Sequence, residues 1–454
     1  MDKKTSVSNE YNKLCFRLIL CAGILVRIIY VLKSTIYDRQ YDIGMIDLDA
    51  GHTVSGGHLA YIQYIYENMK LADVDPTTVY QFHHPPFHHF VSAVFMRFIS
   101  LFTSNTDVIE ESMQFVPFAC SIVTLLAAIA VMKRFKISGR ALNFAVAVLC
   151  FHPALILLSG SVNNDCMALM FSVLSILFTM KWLEKRDYKN IILMAVSIGL
   201  GISTKQNVAE MAFPIGAVLL FVLAKEAAEK KDVSKLILQY ATAGFISVPL
   251  GMWFYIRNLL KYNMSIMWVY ELPNDTWQYT GNIPVINRFL WPVPAEMIDN
   301  LKHFKIGCGY NVWMQIMRTS VLGEWDMAEV GKGIKLIAVL LMLAGALIAL
   351  VAFIYFMKIF VLGIGWNSKL KPLYRVMFAV GYIVVMACYL VFAYKYPQQC
   401  SMHFRYIEIT LLFQTVALAL GYEKIKGSTK NIWDFVLTTF SVLSMLMCAV
   451  WCFL

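Results

Sequence analysis

Runs of apolar residues recur along almost the whole of this 454-residue chain. A bilayer's hydrocarbon core takes roughly 20 such residues per crossing helix. Only helices and closed barrels satisfy every backbone N–H and C=O in lipid. The runs here are continuous, not alternating, which selects helices. With 59% hydrophobic and 15% charged residues and a mean hydropathy of +0.61, an ordinary soluble domain is excluded. The expected architecture is an all-α polytopic membrane protein of about 11 transmembrane helices. They are drawn near 14–33, 115–132, 141–160, 166–183, 190–204, 208–224, 236–256, 336–356, 376–394, 405–421 and 432–453. The first run carries Arg17 and Arg27 with no small-residue cleavage site after it, so it reads as a retained anchor.

The net charge of +10 does not point to nucleic acid, because the basic residues sit in short connections between apolar runs. Those connections are Lys133 to Arg140, Lys181 to Lys189, Lys225 to Lys235, Lys358 to Arg375 and Lys424 to Lys430. They alternate along the chain and assign themselves to the cytoplasmic side of a cell membrane. Most of the ten cysteines lie inside apolar runs and no CxxC pair occurs, so neither a disulfide framework nor a zinc site is indicated.

The same alternation places a large first loop, residues 34–114, on the external face, together with 161–165, 204–207, 257–335 and 395–406. Only one crossing fits between that loop and the basic residues at 133–140. The apolar stretch 90–102 then lies in the interface or re-enters without crossing; the other reading is a short second transmembrane helix. Five of the ten tryptophans fall within 257–335, which suggests an aromatic cap at headgroup level. Three parts follow: a transmembrane module at 1–260 containing the loop, the cap at 261–335, and C-terminal transmembrane helices at 336–454.

The first loop holds six of the nine histidines. His83-His84-Pro85-Pro86-Phe87-His88-His89 invites a metal reading, since imidazole binds several divalent ions. The two prolines deny it regular helical spacing and no glutamate lies within it, so an anion contact on a turn fixed by the prolines reads better. A divalent metal stays open, with no metal ligand assigned. Asp42 follows the first span closely and suits a general base, with Asp47 and Asp49 as competitors; the alternative, a solvated loop acid, is the commoner role of a loop aspartate. Asp165 opens a span, where a carboxylate is costly and usually functional, although Asn and Asp also cap helices there. Lys205, Arg257 and Arg405 are external cations that run against the positive-inside trend. A phosphate would balance them, as would snorkelling to lipid headgroups. No Walker loop, strand-linked GxGxxG or GxSxG elbow is present, so no nucleotide cofactor is implied.

The ordered set Tyr41-Asp42, His84-Pro85-Pro86-Phe87, His152-Pro153 through Asn164-Asp165, Thr204-Lys205 and Arg405-Tyr406 resembles the GT-C glycosyltransferases. The resemblance is to their bacterial protein-mannosyltransferase-like and aminoarabinose-transferase-like group, and it covers residues 14–260 best. It implies a GT-C-like fold with juxtamembrane helices in the first loop, and transfer of a sugar from a polyprenyl-phosphate carrier to a protein, lipid or glycan acceptor. It further implies Asp42 as the base, with Asp165 assisting. Arg405, Lys205, His84 and, more weakly, Arg257 are implied to hold the donor phosphate. The implied substrate pocket takes in Tyr41, Gln81, His83, Asn164 and Tyr406. His88-His89 stands where aromatics commonly follow the Pro-Pro pair in that group. The competing expectation is a transporter or lipid flippase, against which stand the lack of an internal repeat and the gathering of polar residues at one face. A non-catalytic membrane assembly protein is a third reading.

Overall fold

The computed structural model describes residues 3–37, 56–276, 278–291, 309–324 and 331–453. Tyr41 and Asp42, with Asp47 and Asp49, lie outside the described residues, as do Trp277 and Trp325 of the cap.

Helix α1 (Lys3–Lys33) leads into the first loop, which holds α2 (Gly57–Asn68), α3 (Phe87–Ser100) and α4 (Thr106–Glu111). The bundle then continues through α5 (Phe115–Arg134), α6 (Gly139–Phe151), α7 (Pro153–Gly160), α8 (Asp165–Lys185), α9 (Tyr188–Ile202), α10 (Ala212–Ala228) and α11 (Ser234–Tyr262). The cap contributes α12 (Val285–Phe289) and α13 (Val312–Leu322). Four helices close the chain: α14 (Lys332–Phe356), α15 (Pro372–Lys395), α16 (Thr410–Tyr422) and α17 (Ser428–Phe453). Among the described residues, eight helical segments are long and apolar enough to cross a membrane, nine if the bent pair α6–α7 is one span. The sequence expectation of about eleven also counted α9 and α16, which are shorter apolar helices of 15 and 13 residues. The chain is a multi-pass membrane protein, and lipid dictates its helices because no water is available to satisfy an open backbone.

The break between α6 and α7 explains the arginine inside the first span. Pro153 lacks an N–H, so the Leu149 carbonyl four residues back loses its helical donor and the helix bends by 48°. Arg27, 1% exposed, reaches across from α1 to the Leu149 carbonyl at 3.2 Å and the Cys150 carbonyl at 2.7 Å. It also donates to Ser121 Oγ at 2.8 Å and to Gly23 O at 2.9 Å. The close approach of α1 and α6 requires Gly23: a Cβ there would meet the Cys150 side chain at 2.6 Å.

Basic connections gather at one end of the bundle. Arg134 pairs with Glu184 at 3.4 Å, Arg140 with Asp434 at 2.6 Å, and Lys371 donates to the Leu183 carbonyl. Lys424 donates to the Gly365 carbonyl, and Gln239 to that of Arg186 at 2.8 Å. The first loop and the start of α8 occupy the other end.

Helix α3 has 14 residues, or about 21 Å at 1.5 Å per residue, which falls short of a hydrocarbon core of about 30 Å. Its faces are reversed relative to a water-facing helix. Phe90, Val94 and Phe98 are exposed, and Leu101 and Phe102 just beyond it are too, whereas His88, His89 and Ser92 are buried.

Candidate active site

Three short segments meet at the polar end, and each is fixed by local chemistry. The first is the turn into α8. Asn163 Oδ1 accepts from the Asp165 backbone N–H at 3.0 Å and Asn164 donates from Nδ2 to the Thr204 carbonyl at 3.0 Å. This bond ties the turn to the second segment, where α9 ends and Lys205 follows in extended conformation. There the Lys205 N–H bonds to Gly201 O at 2.9 Å. Gly201 cannot carry a side chain, since its Cβ would lie 2.5 Å from Val208 Cγ1 and 3.0 Å from Phe171 Cβ. The third segment is the single turn Phe404–Tyr406 ahead of α16. The Phe404 N–H donates to Thr319 Oγ1 of α13 at 2.9 Å, Tyr389 of α15 donates to Met402 O at 2.7 Å, and His152 stacks on Phe404 at 5.2 Å.

The result is a buried charge cluster. Asp165, with a side chain 2% exposed, takes the Lys205 ammonium directly on Oδ1. The Arg405 guanidinium stands 3.8 Å from its Oδ2. Tyr406 supports both cations: Lys205 lies 5.3 Å and Arg405 5.2 Å from its ring centroid, and Arg405 also donates to the Tyr406 hydroxyl at 3.4 Å. A carboxylate withdrawn from water persists when cations and donors surround it.

The histidine loop closes over this cluster. Gln81 takes a left-handed conformation at φ 67°, and its carbonyl accepts from the His84 N–H at 3.2 Å. The Phe87 N–H then bonds to the Ser203 carbonyl at 3.0 Å, which docks the His-Pro-Pro turn against the turn that carries Lys205. His83 packs at a tilt on His84 at 4.2 Å, His84 stacks on His58 at 5.2 Å, and His58 Nδ1 meets His89 Nε2 at 2.8 Å. Burial keeps these rings neutral. It brings His83 down to about 3 and His88 to about 4, with Lys205 adding to the first and Asp165 opposing the second. His58, His84 and His89 are likewise held well below the usual histidine range, by burial first and by neighbouring histidines next. Among the described residues, no group of three or more His, Cys, Asp or Glu side chains is arranged to hold a metal ion.

The structure thus brings Asp165, Lys205, Arg405 and Tyr406 into contact, with Asn164 bracing the turn and His84 within the field of Lys205. Gln81 and His83 sit in the overlying turn, His83 packing on Trp268 at 5.0 Å. Arg257 is engaged elsewhere, donating to Asn258 Oδ1 at 2.7 Å and to the Ala72 carbonyl at 3.4 Å. Tyr41 and Asp42 belong to residues that are not described. Sequence reasoning missed His58 and Glu408, and named His88 only as part of the histidine motif. Glu408, two residues beyond Tyr406, is 4% exposed. The available signal was an acid at the mouth of an apolar run, the same signal that singled out Asp165.

A family model described as dolichyl-phosphate-mannose-protein mannosyltransferase matches residues 83–253. No curated protein matches the chain. The apo oligosaccharyltransferase of Archaeoglobus fulgidus superposes with a TM-score of 0.51 at 12% identity, covering 95% of this chain and 56% of its own. ArnT of Cupriavidus metallidurans, solved with undecaprenyl phosphate bound, aligns with a TM-score of 0.40 at 13% identity, over 88% of this chain and 76% of its own. The chain spans little more than half the length of the oligosaccharyltransferase. The chain shares the fold of that oligosaccharyltransferase.

Proposed function

We propose that the chain is a membrane glycosyltransferase that moves a sugar from a polyprenyl-phosphate carrier to a hydroxyl or amine of a protein, lipid or glycan acceptor. The reaction takes place on the external face of the cell membrane. The observation that carries this reading is the buried Asp165 carboxylate held by Lys205 and Arg405 beneath the His-Pro-Pro turn. Two cations at the end of a membrane bundle suit a lipid phosphate, with arginine supplying a planar fork and lysine a compact charge. The family match over residues 83–253 supports the same chemistry, since it contains the His-Pro-Pro turn, Asp165 and Lys205.

The chemistry is a single displacement. The acceptor's lone pair forms a bond to the anomeric carbon as the bond from that carbon to the phosphate oxygen breaks. The electron pair leaves with the phosphate and the acceptor's proton passes to Asp42. Configuration inverts, and the energy resides in the donor, so no nucleotide is needed. Lys205 and Arg405 stabilise the charge that grows on the departing phosphate, aided by His84, and fixed donors in a low-dielectric site need little reorganisation to do so. Asp165 holds the cations in place. Arg257, remote from the cluster in its present contacts, has the weakest claim among the phosphate-holding candidates. Helix α3, with its aromatic face outward, lies along the membrane interface beside the site.

The test is Asp42→Asn in membranes supplied with a polyprenyl-phosphate sugar. The expected loss of transfer is roughly 10²–10⁴-fold, and transfer at near wild-type rate would remove Asp42 as the base. If purified protein moves the lipid across vesicles without transferring sugar, the flippase reading replaces this one.

A further inference from the structure

Two asparagines in the turn into α8 each use only one end of their amide. Asn163 Oδ1 accepts from the Asp165 N–H and Asn164 Nδ2 donates to the Thr204 carbonyl, which fixes the orientation of both groups. The ends left over are a donor, Asn163 Nδ2, and an acceptor, Asn164 Oδ1; neither meets a hydrogen-bond partner among the described residues. On α3 the same holds for His88 Nδ1 and Nε2 and for Ser92 Oγ. His88 and Ser92 are 0% exposed and the two asparagines 1%. Polar atoms withdrawn so fully from water are seldom left without partners, because each has given up its hydration.

The start of α3 is docked against this turn. The Phe87 N–H bonds to the Ser203 carbonyl at 3.0 Å, and Asn164 bonds to the next carbonyl, that of Thr204, also at 3.0 Å. The Phe87 ring packs on Phe171 of α8 at 6.0 Å, and Val162 of the turn joins the hydrophobic cluster that contains Ala93 and Met96 of α3. His88 and Ser92 are four residues apart and so share one face of α3. The leftover atoms define a ligand chemistry. Asn163 Nδ2 only donates, Asn164 Oδ1 only accepts, a neutral imidazole does one at each nitrogen, and the serine hydroxyl does both. An anion would satisfy the donors alone and a metal ion the acceptors alone. A hydroxyl donates and accepts, so a group carrying adjacent hydroxyls matches the whole set. Asp165 follows Asn164 directly and takes the Lys205 ammonium, which places the seam beside that cation.

We propose that the seam between α3 and the turn into α8 takes the hydroxyl edge of the donor sugar, and that His88 and Ser92 set which hydroxyls are accepted. The sugar is esterified to the carrier phosphate, so its hydroxyls lie within one ring of the groups that hold that phosphate. Asn163 and Asn164 supply one donor and one acceptor from the turn, and His88 and Ser92 supply the rest from a separate element. The assignment of Asp42 as the base is independent of this seam. The inference rests on the proposed reading of the site as one for a polyprenyl-phosphate sugar.

The experiment uses the full chain in detergent and farnesyl phosphodiesters of mannose, glucose, galactose and arabinose, with farnesyl methyl phosphodiester as the sugar-free control. In wild type at least one sugar diester should bind roughly tenfold or more tightly than the methyl diester. His88→Phe fills the same space without ring nitrogens, and Ser92→Ala removes only a hydroxyl. Each should reduce that preference roughly fivefold while binding the methyl diester as wild type does. Among monodeoxy forms of the preferred sugar, at least one should lose the same factor in wild type and nothing further in the variant. A merely structural role would weaken the methyl diester equally and leave the preference unchanged, which overturns the proposal. If no sugar diester binds better than the methyl diester, the seam holds water only and the proposal falls. Should His88→Phe fail to fold, Ser92→Ala decides alone. Wild type that binds neither the methyl nor the sugar diesters removes the carrier reading of the site. Binding of the diesters with the preference intact in the variants removes only the sugar seam.

Discussion

At the scale of single residues, the polar end is governed by the protonation states that burial permits. The histidines of the first loop look in sequence like metal ligands or an anion contact, and burial holds them neutral. Such groups bind protons more readily in the unfolded chain than in the folded one. Stability is therefore full above the unfolded value of about 6.5 and declines as pH falls toward the folded values of about 3 for His83 and about 4 for His88. His88, 0% exposed, contributes a loss of about 3 kcal/mol over that window. Melting temperature measured from pH 7 to pH 4 should fall steeply below about 6.5, and His88→Phe should flatten the decline. An unchanged slope would mean that His88 already carries a proton partner.

At the scale of elements, the transmembrane helices were legible because lipid leaves the backbone few options, so apolar length alone marked them. Their irregularities were harder to read. Arg27 appeared in sequence as a charge misplaced in an apolar run, and its reason becomes plain only beside the Pro153 break, whose freed carbonyls it satisfies. Arg27→Met keeps a long side chain but leaves two buried carbonyls without donors. It should destabilise the protein by about 2–4 kcal/mol, seen as a lower Tm in detergent, with Lys426→Met, at an exposed position, as a reference variant. A Tm equal to wild type would mean that water replaces the guanidinium.

At the scale of the whole molecule, the alternation of basic connections predicts two chemically distinct ends. The structure gathers Lys133–Arg140, Lys181–Lys189, Lys358–Arg375 and Lys424–Lys430 at one end, away from the charge cluster. Under the proposed function, the positive-inside rule is taken to orient that end to the cytoplasm. Exposed Lys230 and Asn274 offer the check: a membrane-impermeant thiol reagent added outside intact cells should modify Asn274→Cys and spare Lys230→Cys. The opposite pattern would invert the molecule and place the cluster on the cytoplasmic face.

The sequence by itself determined the class of fold, the approximate positions of the apolar helices, the charge asymmetry and a short set of polar residues worth examining. These are local or additive properties: hydropathy over about twenty residues, the sign of a loop, or a carboxylate where lipid makes one costly. Only the tertiary structure decided which of those residues meet. It brought Asp165, Lys205 and Arg405 together across some 240 residues of chain, as the numbers 165 and 405 imply, and left Arg257 in other contacts. It also drew in His58, His88 and Glu408, whose surroundings are built by distant segments. Burial, and with it protonation, depends on neighbours that a linear pattern does not specify.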